Sequence, residues 1–523
     1  MVLRVCIPTA GTGSRLNNLT QYLNKSLVSV ANRPILSHLI DQFPEDTEFV
    51  IALGYKGNLV REFLELAYPN KKIYYANVVP YEGSGSGLGW SLLQCKKYLQ
   101  QPFIFLSCDT LVRETIPLPT RNWIGYAERD DLTSYRTLFI EDGSVKTICE
   151  KGCGVFPSHK AYIGLAGIAD YKAFWDTMES GGSQSIEKGE SYGLQGLTNT
   201  KIEPIAFTWF DTGNLNDLEL TRHAYQESNS PNILEKSNES IWFLGDQVIK
   251  FSDDETFIAN RVMRATEIQG FVPTISGSSL HMYRYPKISG KVLSEVITLP
   301  LFKQLLQYGL TFWKETKQEK DKYLFRNRCL TFYKNKTQER VALFFHKFQR
   351  LDGKETINGV TMPTLGSLLQ KINWDWISDG QAGRFHGDFH FENILWTEEN
   401  QSFTFLDWRQ DFGGSLTTGD VYYDLAKLMH GLIICHELIA QNHFYVLWED
   451  NTIRYDFHRK QILVECECFF EGWLLDHGYD VTKVRVLTAL IYLNIAALHH
   501  YPYSLLLFAL GKSMLQKEME KLK

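Results

Sequence analysis

Short apolar runs alternate with amphipathic stretches from Val2 onward: "RVCIP", "NRPILSHLIDQF", "EFVIALGY", "NLVREFLELA", "KIYYANVV". Brief strands interleaved with helices are the signature of βαβ units on a largely parallel sheet, and few other architectures accept that order. "PFIFLSCDTLV" adds a further buried strand. After Lys151 the pattern becomes mixed, and "KIEPIAFTWFDTGNLNDLELTRHAYQES" closes this half with a strand, a turn and a helix.

One such core does not account for the chain. Its 523 residues exceed what a single hydrophobic core usually organises, domains running to roughly 100–200 residues. The best boundary is "ESNSPNILEKSNES", Glu227 to Ser240, polar and without sustained periodicity. Beyond it "SIWFLGDQVIKFS" reads as a hairpin turning at "LGDQ", and from Leu301 long helical patterns dominate, broken only around "RFHGDFHFENILW" and "FTFLDWRQDF". The expected division is a domain at 1–228, a linker at 229–240, and an α+β domain at 241–523. The last has a small β-rich lobe at 241–290 and a helical lobe at 291–523.

Net charge is −6, which supplies no basic field for nucleic acid or an anionic membrane. Nine scattered cysteines, mostly in apolar runs, read as reduced thiols. The apolar segment Val486–Leu498 is shorter than the roughly 18–20 residues a span needs and reads as a buried helix. No secretory signal pattern opens the sequence, so a cytoplasmic protein with no nucleic-acid or membrane partner is expected. Homo-oligomerisation is compatible with all of this.

The turn "PTAGTGSRL" follows the first strand and is predicted to open a helix. Gly11 and Gly13 let the backbone approach a phosphate, and Arg15 with the helix N-terminus brings positive potential. It lacks the third glycine of the dinucleotide fingerprint and the Gly-Lys-Ser/Thr ending of the P-loop. Lys25 follows in "NKSLVSVANRPILSHLID".

Together, "GTGSR", "NKSL" and "NRPIL" resemble the sugar-phosphate nucleotidyltransferase superfamily, the "KSL" form being most similar to choline-phosphate cytidylyltransferases of bacterial surface decoration. "EGSGSGLGWSL", "SCDTLV", "CEKG", "YIGLAGI" and "WFDTGNLNDL" extend the resemblance over about the first 225 residues. It implies a Rossmann-like mixed sheet with helices on both faces, and in-line attack of a substrate phosphate on the α-phosphorus of a nucleoside triphosphate. In that scheme Arg15 and Lys25 bind the triphosphate and the leaving pyrophosphate, and Asp109 and Asp211 hold Mg²⁺. The loop of Gly83, Ser84, Gly85 and Ser86 faces the base, and Glu150 and Lys151 lie near the substrate phosphate.

In the second half, Asp388 and Asn393 of "HGDFHFEN" stand five apart, and "FLDW" places Asp407 fourteen residues after Asn393. This resembles the catalytic loop and metal-binding strand of aminoglycoside phosphotransferases and choline kinases, distant relatives of protein kinases. The resemblance implies a bilobal protein-kinase-like domain in which Asp388 receives the acceptor hydroxyl proton, while Asn393 and Asp407 hold Mg²⁺ on ATP. His386 is expected to brace the loop. Lys250 in "QVIKF" takes the place of the strand lysine that contacts the α/β-phosphates. Glu267 is chosen over Glu255 as its helix partner, and "HMYRYPKISGKVL", with Tyr283, as the adenine-binding segment. Asp420 and Asp424 read as capping or salt-bridging residues, and the aromatics near Trp376, Trp408 and Tyr422 as core.

The combined expectation is a bifunctional enzyme. Its C-terminal domain phosphorylates a small alcohol, polyol or sugar with ATP, and its N-terminal domain couples that phosphate to CTP, giving a CDP-activated donor for capsule or surface polysaccharide. Two alternatives stay open: an anomeric sugar kinase joined to a UTP- or GTP-dependent sugar-1-phosphate nucleotidyltransferase, and one domain retained as a catalytically dead sensing or scaffolding module.

Overall fold

The computed structural model describes residues 2–226, 236–314 and 321–522. Residues 229–235 of the expected linker therefore lie outside the described residues. The chain forms two compact units, Met1–Ile258 with Ser276–Lys287, and Ala259–Ile275 with Ile288–Lys523.

The first unit is built on a nine-stranded sheet. Arg4–Pro8 pairs in parallel with Glu48–Leu53 and Phe103–Leu106, and Glu48–Leu53 pairs in parallel with Ile73–Asn77. Beyond Phe103–Leu106 the partner His159–Ile168 is antiparallel, so the sheet is mixed. Alternate residues of one strand enter different cores: Val5 and Ile7 pack on one side, Cys6 on the other, as do Phe49 and Ile51 against Val50 and Ala52. Both faces are covered, which is why these strands are apolar at consecutive positions, Val5 to Ile7 and Phe49 to Leu53, after a charged first residue. The α/β fold with a mixed sheet covered on both faces is the one expected.

A four-stranded sheet follows within this unit, in the order Glu239–Leu244, Gln247–Ser252, Met282–Pro286, Gly277–Ser278. The expected hairpin is present, with Gly245 at φ +57° in its turn. Trp242 is buried edge-on against Phe63 of the helix Gly57–Ala67 and donates to Ser29 Oγ at 3.0 Å, while Glu62 accepts from the backbone N–H of His281 at 3.0 Å. The nine-stranded and four-stranded sheets thus share one continuous core.

The second unit carries a three-stranded sheet of Lys291–Val292, Ile394–Thr397 and Ser402–Phe405, and is otherwise mostly helical. Every residue of the helix Val421–Ile433 is buried. The helix Val481–Ala496, which holds most of the apolar segment noted in the sequence, is also buried, and no helix among the described residues is long and apolar enough to cross a membrane.

Helical periodicity alone missed a second four-stranded sheet here, formed by Glu355–Ile357, Val360–Met362, Phe444–Glu449 and Thr452–Phe457. Its turns were legible: Asn358 and Gly359 both adopt positive φ, +46° and +85°, as a tight Asn-Gly hairpin requires.

Candidate active sites

In the first unit the chain leaves the strand Arg4–Pro8 through Gly11 and Gly13 into Ser14–Thr20. This segment is a 3₁₀ turn broken at Asn17, not the expected α-helix, so no helix N-terminus faces the loop. Positive potential there comes from side chains. Gly13 adopts φ +68°, and a Cβ on it would meet the Lys25 Cβ at 2.8 Å, so the turn requires glycine. Lys25 begins its own short turn, capped by Asn24. That buried residue accepts from Ser26 N at 2.9 Å and donates to the Thr9 and Tyr55 carbonyls at 2.9 and 2.7 Å. Asn24 was not singled out in the sequence, although it stands in the same "NKSL".

Lys25 Nζ lies 3.0 Å from Asp109 Oδ2, and Ser107 Oγ donates to Asp109 Oδ1 at 2.6 Å. Burial opposes the charge on both partners, but Asp109 with Cys108 outweighs it for Lys25, and Lys25 with Ser107 and Arg15 outweighs it for Asp109. Lys25 is held well above the usual lysine value, and Asp109 is held down to about 2. Asp211 ends the strand Trp209–Asp211, which pairs antiparallel with Thr110–Val112 so that Asp211 is opposite Thr110. This register brings the second carboxylate to the first.

A Cβ placed on Gly213 would lie 3.0 Å from Asp211 Oδ1, 3.2 Å from Arg15 Nη2 and 3.3 Å from Asp109 Oδ2, so the three charged groups surround one point. Burial, then Asp109, pushes Asp211 up to about 6, partly relieved by the Gly213 N–H at 2.8 Å. Two close carboxylates, one of them reluctant to ionise, beside Arg15 and Lys25, fit a divalent cation bound with a polyphosphate.

The remaining expected residues lie elsewhere on this unit. Gly83, Ser84 and Gly85 form an exposed loop, both glycines at positive φ. Glu150 pairs with Arg136 at 3.1 Å and Lys188 at 3.6 Å, and Lys151 is exposed. Lys250 and Tyr283 are buried register partners in the four-stranded sheet.

In the second unit Asp388 is surrounded. Its Oδ1 lies 2.7 Å from Lys427 Nζ, its Oδ2 lies 3.5 Å from His390 Nε2, and Asn393 Nδ2 donates to Oδ2 at 3.1 Å. Burial disfavours the carboxylate, but Lys427 and His390 hold it well below the ordinary aspartate value. Burial lowers His390, but Asp388 and Glu392 raise it on balance to about 9.

His386 braces the loop as expected. Its Nδ1 accepts from Asp388 N at 3.2 Å, which leaves Nε2–H to donate to the Leu406 carbonyl at 2.8 Å, and burial lowers its pKa to about 3. Asp424 accepts from His386 N and Gly387 N, both at 2.7 Å, and from Trp313 Nε1 at 3.1 Å. Asp420 caps its helix, accepting from Tyr422 N at 3.1 Å, and also accepts from Gln381 N and Tyr333 Oη. Both are structural acceptors. Lys483 covers the rings of Tyr422 and Trp376, and Trp408 is buried.

Asp407 adopts φ +57°, which turns it out of the sheet, and Leu406 N donates to the Asn393 carbonyl at 2.7 Å. Asn393 directs its amide nitrogen into the loop, and Asp407 keeps a partly exposed carboxylate. An amide oxygen and a carboxylate on backbone-linked segments fit Mg²⁺, a hard cation taking oxygen ligands.

The helix Glu255–Glu267 brings Arg261 to within 3.2 Å of Asp407 Oδ1, while Glu267 sits at its exposed end. Arg264, from the same helix, is buried and donates to the carbonyls of Leu416, Arg409 and Phe385. Arg261 and Arg264 stand outside any motif, and Lys427 stands in "GDVYYDLAKL", the stretch of Asp420 and Asp424, without having been singled out; sequence reasoning missed all three.

Residues 341–445 match the phosphotransferase enzyme family known as APH. The N-terminal part matches nucleotidyltransferases. It is 27% identical over 111 residues to a UTP–glucose-1-phosphate uridylyltransferase of Haloferax volcanii, covering 21% of this chain and 44% of that one. Identity is 25% over 179 residues to a probable glucose-1-phosphate cytidylyltransferase of Bacillus subtilis, covering 28% of this chain and 69% of that one. A solved structure of the CTP:phosphocholine cytidylyltransferase of Streptococcus pneumoniae aligns at 15% identity and TM-score 0.38, over 43% of this chain and 100% of its own.

Proposed function

We propose that the chain is a bifunctional enzyme: a small-molecule kinase in its C-terminal part makes the phosphate that a cytidylyltransferase in its N-terminal part consumes. One observation carries this reading. Two separate phosphate-handling constellations, Arg15–Lys25–Asp109–Asp211 and Asp388–Asn393–Asp407, occur in one polypeptide, and the product of the second is the nucleophile the first requires. The proposed kinase domain begins near residue 241, and Lys250, Tyr283 and Glu267 are the residues proposed to serve ATP binding.

In the kinase step the acceptor hydroxyl oxygen bonds to the γ-phosphorus of ATP, its proton passes to Asp388, and ADP leaves. Lys427 and His390 fix Asp388 as a carboxylate, so it orients the hydroxyl throughout and takes the proton as the O–P bond forms. In the nucleotidyl step an oxygen of that phosphate attacks the α-phosphorus of CTP, and the bond to the bridging oxygen breaks to release pyrophosphate. Arg15 and Lys25 neutralise the departing charge. Mg²⁺, held by Asp109 and Asp211 in one site and by Asn393 and Asp407 in the other, would supply further neutralisation of phosphate charge. The product is a CDP-activated alcohol or sugar suited to surface polysaccharide assembly.

Mass spectrometry of the products from ATP, CTP, Mg²⁺ and a library of alcohols and sugars tests this. Asp388→Ala is expected to abolish the phosphorylated acceptor, and Asp109→Ala to abolish the CDP conjugate while the phosphorylated acceptor accumulates. Retained phosphorylation in Asp388→Ala would overturn the kinase assignment. The likeness to the Haloferax uridylyltransferase favours a second reading, UTP in place of CTP, and pyrophosphate release with UTP alone would establish it.

A further inference from the structure

His390, Glu392 and His436 each bring one ligand atom to within 4.8 Å of the others. His390 Nδ1 lies 2.8 Å from Glu392 Oε2, and His436 Nδ1 lies 3.4 Å from Glu392 Oε1. Three parts of the fold supply this cluster: the catalytic loop, the 3₁₀ turn Phe391–Asn393 and the start of the helix His436–Ala440. The three side chains are 12%, 32% and 34% exposed, which leaves room for an ion to enter and for water as a further ligand.

A second observation stands beside it. His430 is 2% exposed, and neither of its ring nitrogens has a hydrogen-bond partner among the described residues. Its ring centroid is 6.3 Å from that of His390 and 5.7 Å from that of His436. A buried polar group without a partner costs about 1–3 kcal/mol, so this imidazole stands in an environment that hydrogen bonding does not explain.

We propose that His390, Glu392 and His436 bind a transition-metal dication of the Zn²⁺ class. Two imidazoles and one carboxylate suit Zn²⁺, Co²⁺ or Ni²⁺, whereas Mg²⁺ takes oxygen alone. Bonds of about 2.0–2.1 Å in tetrahedral geometry place ligand atoms about 3.3 Å apart. The 3.4 Å between His436 and Glu392 already meets that spacing, and His390 Nδ1, 2.8 Å from the other oxygen of the same carboxylate, is near enough to join them. Three protein ligands and a water complete four-coordination.

Ligation through Nδ1 leaves His390 Nε2–H facing Asp388 Oδ2, 3.5 Å away. On the kinase reading given above, the ion thereby fixes the ring that faces the base, as outer partners orient metal-bound histidines elsewhere. The binding site itself does not depend on that reading.

The test uses full-length protein stripped with a chelator and returned to buffer with millimolar Mg²⁺, which occupies the oxygen sites. Titration with Co²⁺, followed by visible absorption and calorimetry, is expected to show one saturable equivalent that Zn²⁺ displaces. His436→Asn and Glu392→Gln should each weaken it at least about tenfold, with circular dichroism establishing that both variants are folded. A variant-free readout is Zn²⁺-dependent protection of His436 from diethyl pyrocarbonate, located by mass spectrometry. Binding equal in parent and both variants, or absence of saturable binding and of protection, would overturn the site, whatever the outcome for turnover.

Discussion

Lys427 Nζ sits 2.7 Å from Asp388 Oδ1, although the two residues are on different elements of the second unit. The ammonium is nearly buried, and Asp388 in turn raises the Lys427 pKa despite its burial. Replacing Lys427 by Met therefore removes the charge that keeps Asp388 ionised. The expected result is a fall of at least about tenfold in kcat/KM for ATP-dependent phosphorylation. The acid limb of the pH–rate profile should also move upward, because the carboxylate pKa rises. An unshifted limb would show that His390 alone sets the Asp388 charge.

Gly213 offers a test of the other centre. A methyl group there would crowd Asp211 Oδ1, Arg15 Nη2 and Asp109 Oδ2. Gly213→Ala is expected to reduce pyrophosphate release about tenfold or more and to raise the Mg²⁺ concentration required, with thermal stability changed by less than about 1 kcal/mol. Kinase activity, measured on the same preparation, should be unaffected.

The brace at His386 predicts a pH dependence of stability. Burial lowers its pKa in the folded state to about 3, from the ordinary histidine value near 6.5. Between those values the unfolded chain binds a proton that the folded chain does not, so stability is lost as pH falls from about 6.5 toward 3, at up to about 1.4 kcal/mol per unit. Denaturant melts of parent and His386→Gln at pH 7 and pH 5 check this. The variant should be less stable at pH 7 but lose less on acidification.

Asp424 accepts three hydrogen bonds, from His386 N and Gly387 N of the loop that carries Asp388 and from Trp313 Nε1. Asp424→Ala leaves those donors without a partner and is expected to cost at least about 2–4 kcal/mol, read as a lower denaturant midpoint. Asp424→Asn, which keeps one acceptor oxygen, should cost less. A loss of activity in Asp424→Ala with unchanged stability would instead make Asp424 a ligand.

The strands of the first unit could be read from the chain because both sheet faces are covered, which leaves an uninterrupted apolar run in place of an alternating one. The hairpin that carries Lys250 was legible for a related reason, since its turn chemistry and apolar flanks are local. The 3₁₀ turn after Gly13 was not. Its break at Asn17, which adopts a positive φ, comes at a residue that is neither glycine nor proline, so no local signal announces it. The sheet containing Glu355–Ile357 and Phe444–Glu449 was missed although it is made of two local hairpins, because the pairing that joins them, Glu355–Ile357 alongside Thr452–Phe457, is between segments distant in the chain.

By itself the sequence determined the short-range chemistry: Gly13 at a turn only glycine tolerates, Asn24 beside Lys25, and Asp388 five residues before Asn393. Spacing within one loop is a covalent property, so it survives without knowledge of the fold. Tertiary structure alone decided which charges share a site. Strand register brought Asp211 to Asp109, a buried helix brought Lys427 to Asp388, and loop packing drew His390, Glu392 and His436 together. Such pairings follow from the burial of apolar faces, which fixes where polar groups meet without leaving any mark in their order along the chain.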